Sequence, residues 1–177
     1  KDSLSLGAEI NNVVCAAKKS SAYLSQYIGE TSKLETYEFL KNTTKNLIKL
    51  TRLNPEIIAC DSHPGYNSSL LANEISKKYN AKLIQIQHHK AHVASVAAEH
   101  SLKDYVGIAM DGLGYGDDGH IWGGEVFAVK NEVDFERIGH LEEQPMIGGD
   151  SAAIYPKKML FGILSKFLNE KELIKLK

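Results

Sequence analysis

Cysteine is scarce in this 177-residue chain, with only Cys15 and Cys60. They form no CxxC pair and no disulfide framework, so a reducing, cytoplasmic setting is the expectation. No apolar run approaches the roughly 18 residues that a bilayer span requires, and no signal peptide is visible. Neither sign of charge dominates. Lys plus Arg is 21 and Asp plus Glu is 22, a formal charge of −1, which argues against a general binder of DNA or of anionic membranes. There is no internal repeat and no low-complexity segment. The chain opens on Lys1 and not on Met, and it stops at a charged helical tail. A fragment of something longer is therefore expected. What is present is a globular composition, 43% hydrophobic and 24% charged, in a chain long enough to bury one real core.

Hydrophobic patterning divides the chain. Asn12–Lys18 and Ala22–Ile28 are β-branched or aromatic runs separated by the polar Lys19-Ser20-Ser21, and Leu4–Glu9 can lead them as a third strand. Short connections predict an antiparallel meander. A helix is predicted from about Ser32 to Leu53, because Leu34, Tyr37, Leu40, Thr44, Leu47, Ile48 and Leu50 recur at spacings near three and four. Thr31 or Ser32 would cap its start, with Glu35 completing a capping box, and Asn54-Pro55 would end it. Then come a strand at Glu56–Cys60, a helix at Ser68–Tyr79, a strand at Lys82–Gln87, an alanine-rich helix at His89–His100 and a strand at Tyr105–Met110. That alternation implies a parallel sheet extended by Tyr105–Met110. Strands resume at Glu125–Val129 and Phe135–Leu141, and one helix is expected from about Ala152 to Leu168. The order is that of a ribonuclease-H-like half domain, the α/β unit from which actin, heat-shock chaperones and sugar kinases are built. The expected division is 1–110 for this first lobe and 111–177 for a glycine-rich nucleotide loop, further strands and a C-terminal helix.

The densest chemical signal is Gln87-His88-His89-Lys90-Ala91-His92, at a strand-to-helix junction. His88 and His92 are four apart, so a helix carries both rings on one face. Such a pair can share a metal ion, with hydrogen-bonded or surface histidines the even alternative. Asp111, at the expected C-terminal end of the Tyr105–Met110 strand, offers a carboxylate at the sheet edge where sites form, with a turn aspartate of an Asp-Gly step the alternative. Two histidines and a carboxylate with open positions suit catalytic Zn²⁺ or Fe²⁺.

Glycines at 112, 114, 116 and 119, with Asp118 among them, allow close backbone approach to a phosphate; an ordinary glycine-rich hairpin is the alternative. The string is neither a Walker A loop nor a dinucleotide fingerprint. Asp117 and Asp118 would repel a phosphate unless a cation, such as Mg²⁺, lies near. Asp61 and His63, after the Glu56–Cys60 strand, can position a substrate or move a proton, or they simply form a polar loop stiffened by Pro64. Gly148-Gly149-Asp150 can contact a ribose or phosphate, with Asp150 equally a helix-start residue. Cys15 and Cys60, on predicted strands, are poor candidates for a nucleophile.

These motifs resemble one family. The strings LGAEINN (Leu6–Asn12), LSQYIGE (Leu24–Glu30), CDSHPGYNSS (Cys60–Ser69), IQHHKAH (Ile86–His92), AEH (Ala98–His100), MDGLGYGDDGHIWGGE (Met110–Glu125) and IGGD (Ile147–Asp150) are similar, in order, to the Kae1-like domain of the hydrogenase-maturation carbamoyltransferases, HypF. The family usually has lysine where Asn11 stands and aspartate where Glu30 stands. The resemblance implies a transferase that turns carbamoyl phosphate and ATP into a carbamoyl-adenylate. It passes the carbamoyl group to the C-terminal cysteine of a HypE-type maturation protein and releases AMP. It implies His88, His92 and Asp111 as ligands of zinc or iron, and the 112–119 string as facing the adenylate phosphate. Sister O-carbamoyl and tRNA threonylcarbamoyl transferases, or a non-catalytic scaffold holding metal and nucleotide, are the alternatives. The resemblance further implies that an acylphosphatase-like module, a CxxC region, a YrdC-like module and the rest of the Kae1-like domain lie outside this chain, so that the chain alone is inactive.

Overall fold

The computed structural model describes residues 1–149 and 151–175. They form two compact units. The first comprises Lys1–Ser101 together with Gly114–Ile121; the second comprises Leu102–Leu113 and the chain from Trp122 onward.

The first unit is built on a five-stranded sheet. Its strands are β1 (Ser3–Leu6), β2 (Val14–Lys18), β3 (Ser21–Leu24), β4 (Ile57–Asp61) and β5 (Lys82–Ile86), in the order β3-β2-β1-β4-β5. The meander is antiparallel, with Leu4 opposite Ala16 and Cys15 opposite Leu24. β1 then pairs in parallel with β4, and β4 with β5, so that Asp61 stands opposite Ile86. Helix α1 (Leu34–Thr51) supplies the crossover from the meander to β4, and α2 (Asn67–Tyr79) that from β4 to β5. Helix α3 (His88–Glu99) leaves the end of β5 after one intervening residue. Alternation along β1 and β2 sends Leu4, Leu6, Val14 and Ala16 inward. There they meet Leu40 of α1, Ile58 of β4 and Leu71, Ala72 and Ile75 of α2 in one core.

The second unit carries a three-stranded sheet, β6 (Tyr105–Tyr115), β7 (Ile121–Lys130) and β8 (Asp134–His140), in that order. Phe127 and Val129 are its buried apolar centre, with Trp122 beside Phe127. Glu125 is 2% exposed and carries a charge into this core. Arg137 Nε donates to its Oε2 at 2.6 Å, Gly123 N donates to its Oε1 at 3.1 Å, and the guanidinium lies 4.1 Å from the Trp122 ring centroid. A buried carboxylate requires such partners.

The fold therefore is the mixed α/β half domain expected, with four local corrections. Tyr105–Met110 does not extend the parallel sheet. The strand runs on through Tyr115 and turns back at 116–120, so its nearest hydrogen-bonding neighbour is β7, the segment that follows it. By the same fact, the first half of the expected 112–119 loop, through Tyr115, is strand. Helix α1 begins without a side-chain cap at Lys33. Thr31 and Ser32 spend their hydroxyls on Glu9 O and Glu30 Oε1, so no capping box forms with Glu35. The C-terminal helix is broken into α4 (Ser151–Ile154), α5 (Pro156–Leu164) and α6 (Glu170–Ile174). Pro156 sits in the first turn of α5, and Tyr155 before it is extended at φ −113°, ψ 95°, as a residue preceding proline must be.

Leu40 is wholly enclosed. Replacing it with alanine removes buried methyl groups and leaves a cavity, so chemical denaturation of the Leu40→Ala protein should show a loss of about 2–5 kcal/mol.

Candidate metal centre

Helix α3 starts where β5 stops, and one residue governs the junction. Gln87 is extended at φ −63°, ψ 135°, and its Oε1 accepts from Lys90 N at 3.0 Å, capping the helix. Its Nε2 donates to Tyr115 O at 3.2 Å and meets His89 Nδ1 at 3.0 Å. Both ends of this buried amide are thus used.

The helix then separates its three histidines. His89 is fully buried, whereas His88 is half-buried and His92 exposed. His88 and His92 share a face as their spacing predicts. Their Nε2 atoms are 3.1 Å apart, with ring centroids at 4.6 Å and planes at 87°. Metal–nitrogen bonds of ~2.1 Å place adjacent ligands about 3.0 Å apart in octahedral geometry and about 3.4 Å apart in tetrahedral geometry. The two imidazoles therefore fit one shared cation. On the other side of the ring, His88 Nδ1 lies 3.0 Å from Asp61 Oδ2.

Asp61 ends β4 and is buried. Its Oδ1 accepts from His63 N at 2.8 Å, so it also closes the turn into His63-Pro64. His63 Nδ1 accepts from Gly65 N at 3.1 Å, and the ring stacks on Tyr66 at 4.0 Å with Tyr115 edge-on at 5.4 Å.

The glycine string divides by role. The tip of the β6–β7 hairpin belongs to the first unit. It is tied by Gly116 N to His120 O at 2.8 Å and Gly119 N to Gly116 O at 3.0 Å. Gly119 has φ +79°, a conformation that disfavours a side chain. Lys90 Nζ holds Asp117 Oδ2 at 2.5 Å, and Asp118 Oδ1 accepts from His120 N. Gly114 is required by packing: a Cβ there would come within 2.7 Å of His89 Nδ1 and closer still to Cε1. Sequence reading missed this contact, since Gly114 and His89 are 25 positions apart and only the fold joins them.

Asp111 and Gly112 lie in the second unit, on β6, four and three residues before its end and not at a strand terminus. Asp111 Oδ1 accepts from Gly112 N at 2.7 Å. An added Cβ at Gly112 meets nothing within 4 Å. Gly148 and Gly149 form a turn at φ +82° and +59°, where Ser151 Oγ donates to Gly148 O. Asp150 lies outside the described residues.

Neither cysteine has the setting of a nucleophile. Burial, with the Asp61 charge beside it, pushes the Cys60 thiol above its ordinary 9.0, although a hydrogen bond with Ser69 opposes the shift. Burial raises Cys15 likewise. The folded chain thus holds these protons more tightly than the unfolded one. Their contribution to stability is complete below pH 9 and is lost as the pH climbs through the raised values. Iodoacetamide should accordingly alkylate neither residue rapidly at pH 7, as mass spectrometry of timed samples would show. Gly114→Ala should displace the His89 ring and lower the thermal midpoint by several degrees, whereas Gly65→Ala, whose Cβ would meet only the His63 side chain, should cost less.

The profile of the HypF Kae1-like domain matches residues 1–99, and that of the second subdomain of the carbamoyltransferase Kae1-like domain matches residues 107–176. The probable carbamoyltransferase HypF of Methanocaldococcus jannaschii is 45% identical over 172 residues, which are 96% of this chain and 22% of that protein. The crystal structure of T. kodakarensis HypF superposes with a TM-score of 0.91 at 43% identity, covering 98% of this chain and 23% of the other. A structure of full-length HypF in the phosphate- and nucleotide-bound form gives 0.77 at 31% identity, covering 98% and 24%. YeaZ from Pseudomonas aeruginosa, at 9% identity and TM-score 0.54 over 78% of this chain and 65% of its own, shares the fold alone. The chain spans about a fifth of the length of most of the curated relatives it matches. With two profiles of one family matching residues 1–99 and 107–176 in succession, the chain belongs to the HypF Kae1-like domain family.

Proposed function

We propose that this chain is part of a HypF-type carbamoyltransferase. In it His88, His92 and Asp111 hold a zinc or iron ion beside a bound carbamoyl-adenylate, made from carbamoyl phosphate and ATP. The observation that carries the reading is the convergence of the His88 and His92 Nε2 atoms at 3.1 Å on one helix face. The resemblance of the Met110–Glu125 string to the family supports Asp111 as the third donor. The nucleotide and phosphate bound in a full-length relative support the adenylate.

The ion, when bound, supplies Lewis acidity toward an acyl or phosphate oxygen. The chain's own residues do the rest. His88 and His92 present their Nε2 atoms together from a capped helix start. Gly112 offers open space in which a phosphate can approach the backbone, and Gly114, Gly116, Asp118 and Gly119 shape the rest of that string. Gly148, Gly149 and Asp150 would contact the nucleotide, and His63, stacked on Tyr66, would lie along the substrate. The acceptor is a thiolate, the C-terminal cysteine of a HypE-type protein. It attacks the carbamoyl carbon, the carbon–oxygen bond to the phosphate breaks, and AMP leaves.

In the full-length protein, His88→Ala and His92→Ala should each reduce metal affinity by more than the ~10–100-fold that loss of an outer-shell partner costs, and carbamoyl transfer to the partner should fall to background. Metal analysis and AMP release in the presence of partner measure both. Unchanged transfer in the double variant would reject the role of the ion.

A further inference from the structure

The Asp61 carboxylate faces the ring of His88. We propose that Asp61 is the positioning residue of the metal centre. Its Oδ2 keeps the proton of His88 on Nδ1, which leaves the Nε2 lone pair directed at the cation. The proposal rests on the metal reading of His88 and His92.

Three observations carry it. The first is register. β4 and β5 run in parallel with Asp61 opposite Ile86, and Ser62 N donates to Ile86 O at 3.0 Å. The sheet therefore delivers the carboxylate to the residue two places before His88. The second is immobilisation. The Asp61 side chain is 5% exposed, its Oδ1 accepts from His63 N, and its backbone oxygen accepts from Ser69 Oγ at 3.0 Å. With Oδ1 committed, Oδ2 is the atom left for the ring, 3.0 Å from His88 Nδ1. The third is the chemistry of the pair. A carboxylate accepts and does not donate, so Nδ1 carries the hydrogen between these atoms. Neutral imidazole then has its lone pair on Nε2, the atom 3.1 Å from His92 Nε2. A ligand histidine held in this way is more basic and cannot rotate. His92, on the same face, is the more exposed of the two, so the half-buried His88 is the anchor of the pair.

The alternative is that Asp61 serves only the turn at His63. Asp61→Asn separates the two roles with almost no change in shape. Its single amide oxygen can still accept from His63 N, but the amide nitrogen then donates to His88 Nδ1 and drives the ring's proton onto Nε2. Zinc would be titrated against a chromophoric chelator in the full-length protein, and the signal of the His88→Ala/His92→Ala double variant subtracted. Asp61→Asn should bind zinc ~10–100-fold more weakly at this site while the metal-free thermal midpoint stays unchanged. Zinc affinity within twofold of the parent would overturn the proposal. If the double histidine variant itself binds zinc like the parent, the metal reading fails and Asp61's role falls with it. Nitrogen-15 spectra of the histidine-labelled, metal-free parent decide the matter even where Asp61→Asn does not fold. Protonation of His88 at Nδ1 is expected, and a proton on Nε2 with Nδ1 bare would overturn the assignment.

Discussion

The amide of Gln87 is the interaction on which this structure turns. It is almost wholly buried, and it has three partners on three different segments. One is the first turn of α3, one is the ring of His89, and one is the backbone of the hairpin tip at Tyr115. A buried primary amide left without partners costs several kcal/mol, so these three segments are bound to a single arrangement. Since the start of α3 is set by that cap, the rotation of the helix is set too. His89 must then point into the core, and His88 and His92 must turn together to the other side.

The sheet does the same for the carboxylate. Parallel pairing of β4 with β5 makes the ends of the two strands coincide, and the chain leaving each end must deal with its neighbour's polar groups. At the end of β4 stands Asp61; just past the end of β5 stands His88. The hydrogen bond between them follows from strand register and needs no motif in either segment. The same logic accounts for Glu125 in the second unit. The carboxylate of the Trp122–Glu125 string is buried against Arg137 on the neighbouring strand, with the guanidinium lying on the indole. That glutamate holds a strand pair together and takes no part in the proposed chemistry.

Periodicity alone was sufficient for β1, β2, α1, β4 and α2, because each has apolar residues that one core buries. It failed where a strand's partner mattered more than its pattern. Tyr105–Met110 has the composition of an inner parallel strand, yet its chain reverses at 116–120 and the neighbouring segment takes its hydrogen bonds. Pro156 breaks the C-terminal helix, and the strong apolar pattern around it masks that break. Thr31 and Ser32 look like caps, and lose that role because nearer acceptors on Glu9 and Glu30 claim their hydroxyls.

What the chain's order of residues determined by itself is local: the four-residue interval that aligns His88 with His92, the positive φ that Gly119 accepts, and the strings that mark the family. Each depends on backbone geometry within a turn or two of helix or a single hairpin. The tertiary structure alone decided that Gly114 must lack a side chain for His89 to lie flat, and that Asp61, 27 positions before His88, meets its ring. Contacts between distant positions depend on strand register and on which buried polar groups find one another, and no spacing along the chain encodes that distance.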